Sequence, residues 1–320
     1  LRMVPVTPQE MQARPEPLYP LILNSGRIRD QWHTMTRTGN VPRLMQHIAQ
    51  PIVEVSPQDA TRFSLQNGAL ARISSPRGVM VARVVLTDSQ RPGSLFTSMH
   101  WNDCFARQGK INSLVKAVVD PHSGQPESKQ TAVRVAPWQP HWQGELYSRA
   151  PVALPQHLHW WRKAAPGLHH LTLCGDRTIQ AELLAWCQHH GWQIQEARLG
   201  ETWHLLAWEQ GQLMLGFWSG RALPELDAAL VVRAFSAAPQ TLTERHGLLS
   251  GRDLARPSVG KIVCSCFSVG ENTIAEAIEK QGCSTPGELG RVLKCGTNCG
   301  SCIPELKALL ACAQPKVMIS

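Results

Sequence analysis

The sequence predicts an α+β chain in three parts: a β-barrel, a small α/β segment, and a small helical domain that carries most of the cysteines. Three observations lead there. Residues 17–137 alternate short apolar runs with Gly- and Pro-containing turns, which is the pattern of a barrel. Residues 156–255 mix strand-like runs with one stretch of helical spacing. Seven of the ten cysteines fall after residue 260, among residues that read as short capped helices.

Each element follows from local chemistry. Pro20-Leu21-Ile22-Leu23 is an apolar strand ending at Asn24-Ser25-Gly26, and Ile52-Val53-Glu54-Val55 is a second. Ser56 caps a short helix through Asp59-Ala60, with Pro57 at its first position. Gly68 to Ile73 alternates as a half-buried strand, Pro76-Arg77-Gly78 turns, and Val79 to Leu86 returns as its hairpin partner. Arg91-Pro92-Gly93 turns again before Ser94-Leu95-Phe96. The Pro- and Trp-rich stretch Pro137 to Pro155 reads as a linker.

Beyond it, Leu171 to Cys174 is strand-like, and Thr178 to His190 is helical with Ile179, Leu183 and Trp186 on one face. Trp192 to Leu199, Thr202 to Trp208 and Leu213 to Phe217 are strands. Cys174-Gly175-Asp176-Arg177 lacks the further glycines of a phosphate loop. The histidines at 157, 159, 169, 170, 189 and 190 are read as exposed surface groups rather than metal ligands. In the last part, Glu271 to Lys280 is a helix and Ser284-Thr285-Pro286 caps another. A Gly-rich loop follows from Cys295 to Cys302, and Pro304 to Ala311 closes. The expected domains are 1–140, 156–255 and 260–313.

Composition narrows the function classes. At 43% hydrophobic and 18% charged residues the chain is globular rather than disordered. No apolar run approaches the ~18 residues of a membrane span. The start lacks the apolar core of a secretory signal, and sparse, clustered cysteines argue against a secreted disulfide scaffold. The opening Leu1-Arg2-Met3 reads as the interior of something longer. The net charge of +8 is local: residues 1–140 hold 16 Lys and Arg against 9 Asp and Glu, whereas 141–260 hold 10 of each. Such a basic segment suits phosphates, as nucleic acid, nucleotide cofactor or anionic lipid, or is a solvated face balanced by an acidic part elsewhere. It lacks the stacking platform of a single-strand binder.

The cysteine spacing is C-x-C at Cys264 and Cys266, 32 residues, then C-x-x-C at Cys299 and Cys302. Four thiolates in two close pairs fit zinc or an iron–sulfur cluster, with buried thiols as the plain alternative. C-x-C is expected to place two thiolates on one iron, and Gly296, Gly300 and Ser301 leave backbone N–H groups free to approach cluster sulfides. Cys283, Cys295 and Cys312 are read as packing residues. The runs KIVCSCFSVGENTI and GTNCGSC resemble the [2Fe-2S] domain of bacterioferritin-associated ferredoxins. That resemblance implies Cys264, Cys266, Cys299 and Cys302 as the ligands.

In the basic segment, Ser25-Gly26-Arg27 follows a strand, where backbone N–H groups and a guanidinium can clamp a phosphate. Trp32-His33-Thr34 with Arg37 offers a flat face and hydrogen-bonding groups for a base or pterin, although alone it reads equally as a capped turn with a core Trp. The runs LNSGRIRDQWHTMTRTG, VEVSPQDA, ISSPRGVMVARV, RPGSLFTSMHWND and VVDPHSGQPESKQTAVRV resemble a domain of the dimethyl sulfoxide reductase family. It is the C-terminal domain that binds molybdopterin guanine dinucleotide. Within the family the resemblance is to catalytic subunits of bacterial assimilatory nitrate reductases, some of which end in a bacterioferritin-associated-ferredoxin-like domain.

The resemblance implies a double-psi β-barrel and dinucleotide contacts at Ser25, Gly26, Arg27, Gln31, Trp32, His33, Thr34, Trp101, Asn112 and Lys129. It assigns no catalytic residue to this chain. It further implies a cytoplasmic, molybdenum-dependent reduction of nitrate to nitrite, with electrons from a reductase subunit, ferredoxin or flavodoxin passing through the [2Fe-2S] cluster. Neither nucleic acid nor a membrane is implied as a partner. The family's [4Fe-4S] motif has no counterpart here, since only Cys104 precedes Cys174. The cluster and the rest of the subunit are expected in preceding sequence, and the 320 residues alone are expected to be inactive. The alternative is an electron-transfer or docking module of a related enzyme acting on another substrate such as formate.

Overall fold

The structure, a computed structural model, describes residues 5, 10–237, 241–253 and 257–313. The opening Leu1-Arg2-Met3 lies outside them. The chain divides into two compact units: Leu1–Ile28 with Gln50–Gln139, and Arg29–Ala49 with Pro140–Ser320. Residues 29–49, placed with the barrel in the sequence reading, thus belong to the second unit.

The first unit is a closed barrel. Its strands are β1 (Leu21–Gly26), β2 (Ile52–Val55), β3 (Leu70–Ser75), β4 (Gly78–Leu86), β5 (Ser94–Ser98) and, after the short β6 (Ala106–Arg107), β7 (Thr131–Trp138). Their order is β1-β5-β2-β4-β3-β7, with β7 returning to β1. β1 runs parallel to β5 and β2 parallel to β4; all other neighbours are antiparallel. Parallel neighbours need crossover connections, so the barrel is threaded rather than a simple meander. One crossover contains α2 (Pro57–Arg62), where Ser56 accepts the Asp59 N–H as predicted; α1 (Pro42–Met45) lies in the second unit. Alternate residues Leu21, Leu23, Val53, Val55, Ile73, Met80, Leu95 and Val133 fill the core. Each such side chain contributes about 1.5–3 kcal/mol on burial.

The second unit contains an antiparallel sheet ordered β11-β12-β13-β8-β10-β9. These strands are β8 (Trp142–Ser148), β9 (His159–Ala165), β10 (Leu168–Gly175), β11 (Gln193–Leu199), β12 (Thr202–Glu209) and β13 (Gln212–Gly220). The expected linker is corrected here. Trp142–Ser148 is an inner strand, paired on both sides, with Gly144 to Ser148 buried. Its prolines sit outside the paired stretch, so the composition of a linker conceals a strand.

Period-2 alternation gives this sheet two apolar faces. Leu146, Leu173, Leu205, Leu215 and Phe217 pack with α3 (Gln180–His189), whose buried residues are Leu183 and Cys187. Their neighbours Tyr147, Leu206 and Trp218 pack with α4 (Ala228–Ser236) and α5 (Leu242–Ser250). These two helices were not foreseen from sequence.

One charged group is buried within the sheet. Glu145 accepts from Lys163 Nζ at 2.6 Å and from Thr172 Oγ1 at 3.1 Å, and lies 2.7 Å from His170 Nε2. His170 stacks on Tyr147 at 3.8 Å between centroids. It is buried, which corrects the reading of these histidines as uniformly exposed.

The last elements are a hairpin of β14 (Ile262–Cys264) and β15 (Val269–Gly270), then α6 (Glu271–Gln281), α7 (Pro286–Leu293) and α8 (Ile303–Ala313). Thr285 and Glu288 form the capping box of α7. Val263, Ile274, Leu289, Leu306 and Leu310 form a core with Cys264, Cys283, Cys295 and Cys302. Cys312 is exposed, so it is not the packing residue expected; it falls on the outward side of the last helical turn. Among the described residues no helix is long and apolar enough to cross a membrane.

Two outcomes follow. Burial pushes the Glu145 carboxyl up, but Lys163 and His170 outweigh it and hold it at about 2. Burial pushes His170 below its ordinary value, against the opposing pull of Glu145. Both folded-state values lie below the unfolded ones, so both groups favour the folded state at neutral pH. In acid titrations followed by circular dichroism, the sheet should lose stability below about pH 6.5 as His170 resists protonation. A further loss on the order of 3 kcal/mol should follow as pH falls from about 4.5 towards 2 through Glu145. Separately, a Cβ on Gly270 would lie 2.0 Å from the Val259 carbonyl oxygen, which is backbone and cannot yield cheaply. Gly270→Ala should cost the 262–312 domain at least about 2 kcal/mol, read as a lowered Tm.

Candidate cofactor sites

The cysteine site is built by the hairpin and the loop before α8. Cys264 ends β14 and is buried, while residues 265–268 turn, with Ser268 in the left-handed region at φ 52°. The expected pairing is within C-x-C, whereas the close sulfur contacts run between the two motifs. Cys266 Sγ instead lies 3.4 Å from Cys299 Sγ, and Cys264 hydrogen-bonds with Cys302. The pairs therefore form across the two motifs. Two sulfurs bound to one tetrahedral metal at about 2.3 Å stand about 3.8 Å apart, so the 3.4 Å pair has the span of a single-metal edge.

Among the described residues no three His, Cys, Asp or Glu side chains are grouped to hold one metal ion. Four thiols in two close pairs can serve as the donor set of a two-metal cluster. The pairs also differ in environment. Cys302 is buried and Cys299 exposed. Burial and the nearby Cys264 push the Cys302 thiol up to about 12. The Ser301 hydroxyl and N–H, with Cys266, hold Cys299 below the ordinary thiol range. Asn298 Nδ2 donates to Cys266 Sγ at 3.3 Å. Gly296 and Gly300 have φ of 78° and 70°, the left-handed conformation that folds this loop around its cysteines. Cys295 is fully buried in the core, as expected of a packing residue.

In the barrel, the predicted site centres on the end of β1. Ser25 is buried, and its Oγ donates to the Ser128 carbonyl at 3.0 Å. Lys129 Nζ donates to the Ser25 carbonyl at 2.5 Å, so Lys129 is tied to the Ser25-Gly26-Arg27 turn rather than merely solvated. Gly26 passes Phe96 so closely that a Cβ would sit 2.7 Å from its ring. Arg27 is exposed, and Asn112 is exposed on the 3-10 turn Ile111–Ser113.

Parallel pairing sets Gly26 beside Ser98, whose Oγ is buried and has no hydrogen-bond partner among the described residues. Trp101, three residues on, is buried, and its indole N–H is equally unpartnered. Buried polar atoms without partners are costly in a protein interior, and a polar ligand at the strand ends would satisfy them. The residues thus fit a nucleotide-bearing group. Ser98 and His100 were not foreseen. His100 Nε2 accepts the Ile28 N–H at 3.0 Å, and only the β1–β5 register brings either residue to the turn.

The remaining predicted contacts lie in the second unit. Gln31 is buried and donates to the Leu44 carbonyl at 2.9 Å and to Met45 Sδ at 3.0 Å, which makes it an inward anchor. Met35 is fully buried as well. Between these anchors Trp32, His33 and Thr34 are exposed, with His33 at φ 43° and Met35 at φ 60°. Left-handed non-glycine residues of this kind cost free energy and mark loops held for a purpose.

Comparison with known proteins finds matches over both domains. Residues 21–132 match the family described as molydopterin dinucleotide binding domain, and residues 262–312 match the BFD-like [2Fe-2S] binding domain. A nitrate reductase of Klebsiella oxytoca is 63% identical over 313 residues, covering 97% of this chain and 36% of that protein. The assimilatory nitrate reductase catalytic subunit of Bacillus subtilis (strain 168) is 29% identical over 43% of this chain and 19% of its own length. The F420-dependent formate dehydrogenase subunit alpha of Methanocaldococcus jannaschii is 31% identical over 42% of this chain and 19% of its own. The chain thus spans 36% or less of the length of these relatives. Residues 21–132 thus match a molybdopterin dinucleotide-binding domain, and residues 262–312 a BFD-like [2Fe-2S] binding domain.

Proposed function

We propose that this chain is the dinucleotide-binding and electron-receiving part of a molybdenum-dependent assimilatory nitrate reductase acting in the cytoplasm. The observation that carries this reading is 63% identity to a nitrate reductase across 97% of the chain, through both cofactor domains. The formate alternative rests on 31% identity over 42% of the chain and is outweighed. Ten unpaired cysteines suit a reducing compartment. The functional division would be the barrel for the dinucleotide and residues 260–313 for the cluster.

When bound, the molybdenum cofactor supplies the two-electron removal of an oxygen from nitrate, and the cluster supplies one-electron relay. The chain's own residues bind and orient. Ser25, Gly26 and Arg27 offer backbone N–H groups and a guanidinium to the diphosphate, with Lys129 holding the turn. Trp32, His33 and Thr34 present a flat face and polar groups to the guanosine or pterin ends. Gln31 props that loop, Trp101 offers its indole N–H, and Asn112 gives an outer contact. Cys264, Cys266, Cys299 and Cys302 hold the cluster, with the Cys266–Cys299 pair on the exposed side facing a reductase subunit, ferredoxin or flavodoxin. The rest of the shell would come from the remainder of the subunit.

Iron and acid-labile sulfide analysis tests the cluster. Two iron and two sulfide per chain are expected, whereas one zinc without sulfide would overturn it. Cys299→Ser should bleach the visible spectrum and Cys295→Ser should leave it. For the barrel, calorimetric titration with guanosine diphosphate should show binding that Lys129→Met weakens by about tenfold, the loss of one charge-assisted contact. No binding by the unsubstituted chain would count against the dinucleotide assignment.

A further inference from the structure

Resting on the cluster reading above, we propose that Arg29 is a positioning residue for the [2Fe-2S] cluster. Its guanidinium ties the two cysteine-bearing segments together and fixes a positive charge beside them. Four contacts carry the inference. Nη1 donates to the Ser301 carbonyl at 2.7 Å and to Glu305 Oε1 at 3.0 Å. Nη2 donates to the Val263 carbonyl at 2.9 Å, and Nε donates to Asp30 Oδ2 at 3.2 Å.

The two carbonyls are not arbitrary. Val263 immediately precedes Cys264, and Ser301 immediately precedes Cys302, so one planar group spans the backbones that present the buried thiol pair. These segments lie at opposite ends of the 262–312 domain, and Arg29 reaches them from more than 230 residues away in sequence. A guanidinium can do this because its donors diverge from a rigid plane; an ammonium has no such fork.

The surroundings hold the group in place. His47 lies between the two carboxylates that flank Arg29, with Nδ1 3.1 Å from Asp30 Oδ2 and Nε2 3.3 Å from Glu305 Oε1. Gln46 Oε1 accepts from Ser268 Oγ at 3.3 Å, on the turn that carries Cys266. A cluster gains negative charge on reduction, and a fixed cation favours the reduced form. Glu305 opposes it.

The test uses the full chain and reads the cluster directly. Arg29→Met should release iron to a chelator about tenfold faster, the loss expected for charge-assisted hydrogen bonds, and should lower the midpoint potential. Arg29→Lys should release iron nearly as fast but keep its midpoint close to wild type, because it keeps the charge and loses the fork. Glu305→Gln should raise the midpoint. A purely structural role would speed iron loss without moving the midpoint in opposite directions. Circular dichroism checks the fold, and if Arg29→Met does not fold, the Lys and Gln variants decide alone. A wild-type chain without iron and sulfide removes the cluster reading and this inference with it. A wild-type cluster whose iron release and midpoint are unmoved by the variants overturns the Arg29 assignment alone.

Discussion

Two thiol pairs must form from cysteines that begin and end a short domain, and most of the local structure around them serves that constraint. The left-handed turn at Ser268 sends Cys266 away from Cys264 and towards Cys299. Lys294, left-handed at φ 61°, ends α7 where the chain enters the loop, and Gly296 and Gly300 bend that loop. The apolar core of Val263, Ile274, Leu289 and Leu306 supplies what four thiols cannot supply without a metal. The site is therefore asymmetric, with a buried pair seated in the core and an outer pair at the surface. Such an arrangement suits a relay that takes electrons from outside and must not lose its ligands to solvent.

The barrel solves a different problem. A parallel β1–β5 pair sets the end of one strand beside the end of another, so Gly26 stands in register with Ser98. Gly26 is needed because Phe96 occupies the space a Cβ would take. Lys129 and Ser128 hold Ser25 through hydrogen bonds. The same closure that buries Leu21 and Leu23 thereby presents backbone donors and unpartnered polar atoms at one rim.

Some of this was legible in the sequence. Capping residues, hairpin turns and the two cysteine motifs are local signals, fixed by chemistry within a few residues. That is why Ser56, Thr285 and the β3–β4 hairpin stood where expected. The strand Trp142–Ser148 was hidden because its flanking prolines imitate a linker, although its backbone pairs on both sides. The helices α4 and α5 were hidden because they follow a strand-rich stretch. Glu145 looked like one acidic residue in a neutral segment; its partners Lys163 and His170 reach it from adjacent strands.

The sequence by itself determined the available groups: which residues are thiols, which turn has glycine, where the positive charge gathers. These follow from side-chain identity and spacing alone. Only the tertiary structure decided the pairing. It set Cys266 on Cys299 rather than on Cys264, Ser98 beside Gly26, and Arg29 on the carbonyls before Cys264 and Cys302. The reason is physical. Each of these contacts joins residues tens to hundreds of positions apart, and their meeting depends on strand register and on the sense in which the chain turns. Neither quantity is written in any short stretch of sequence.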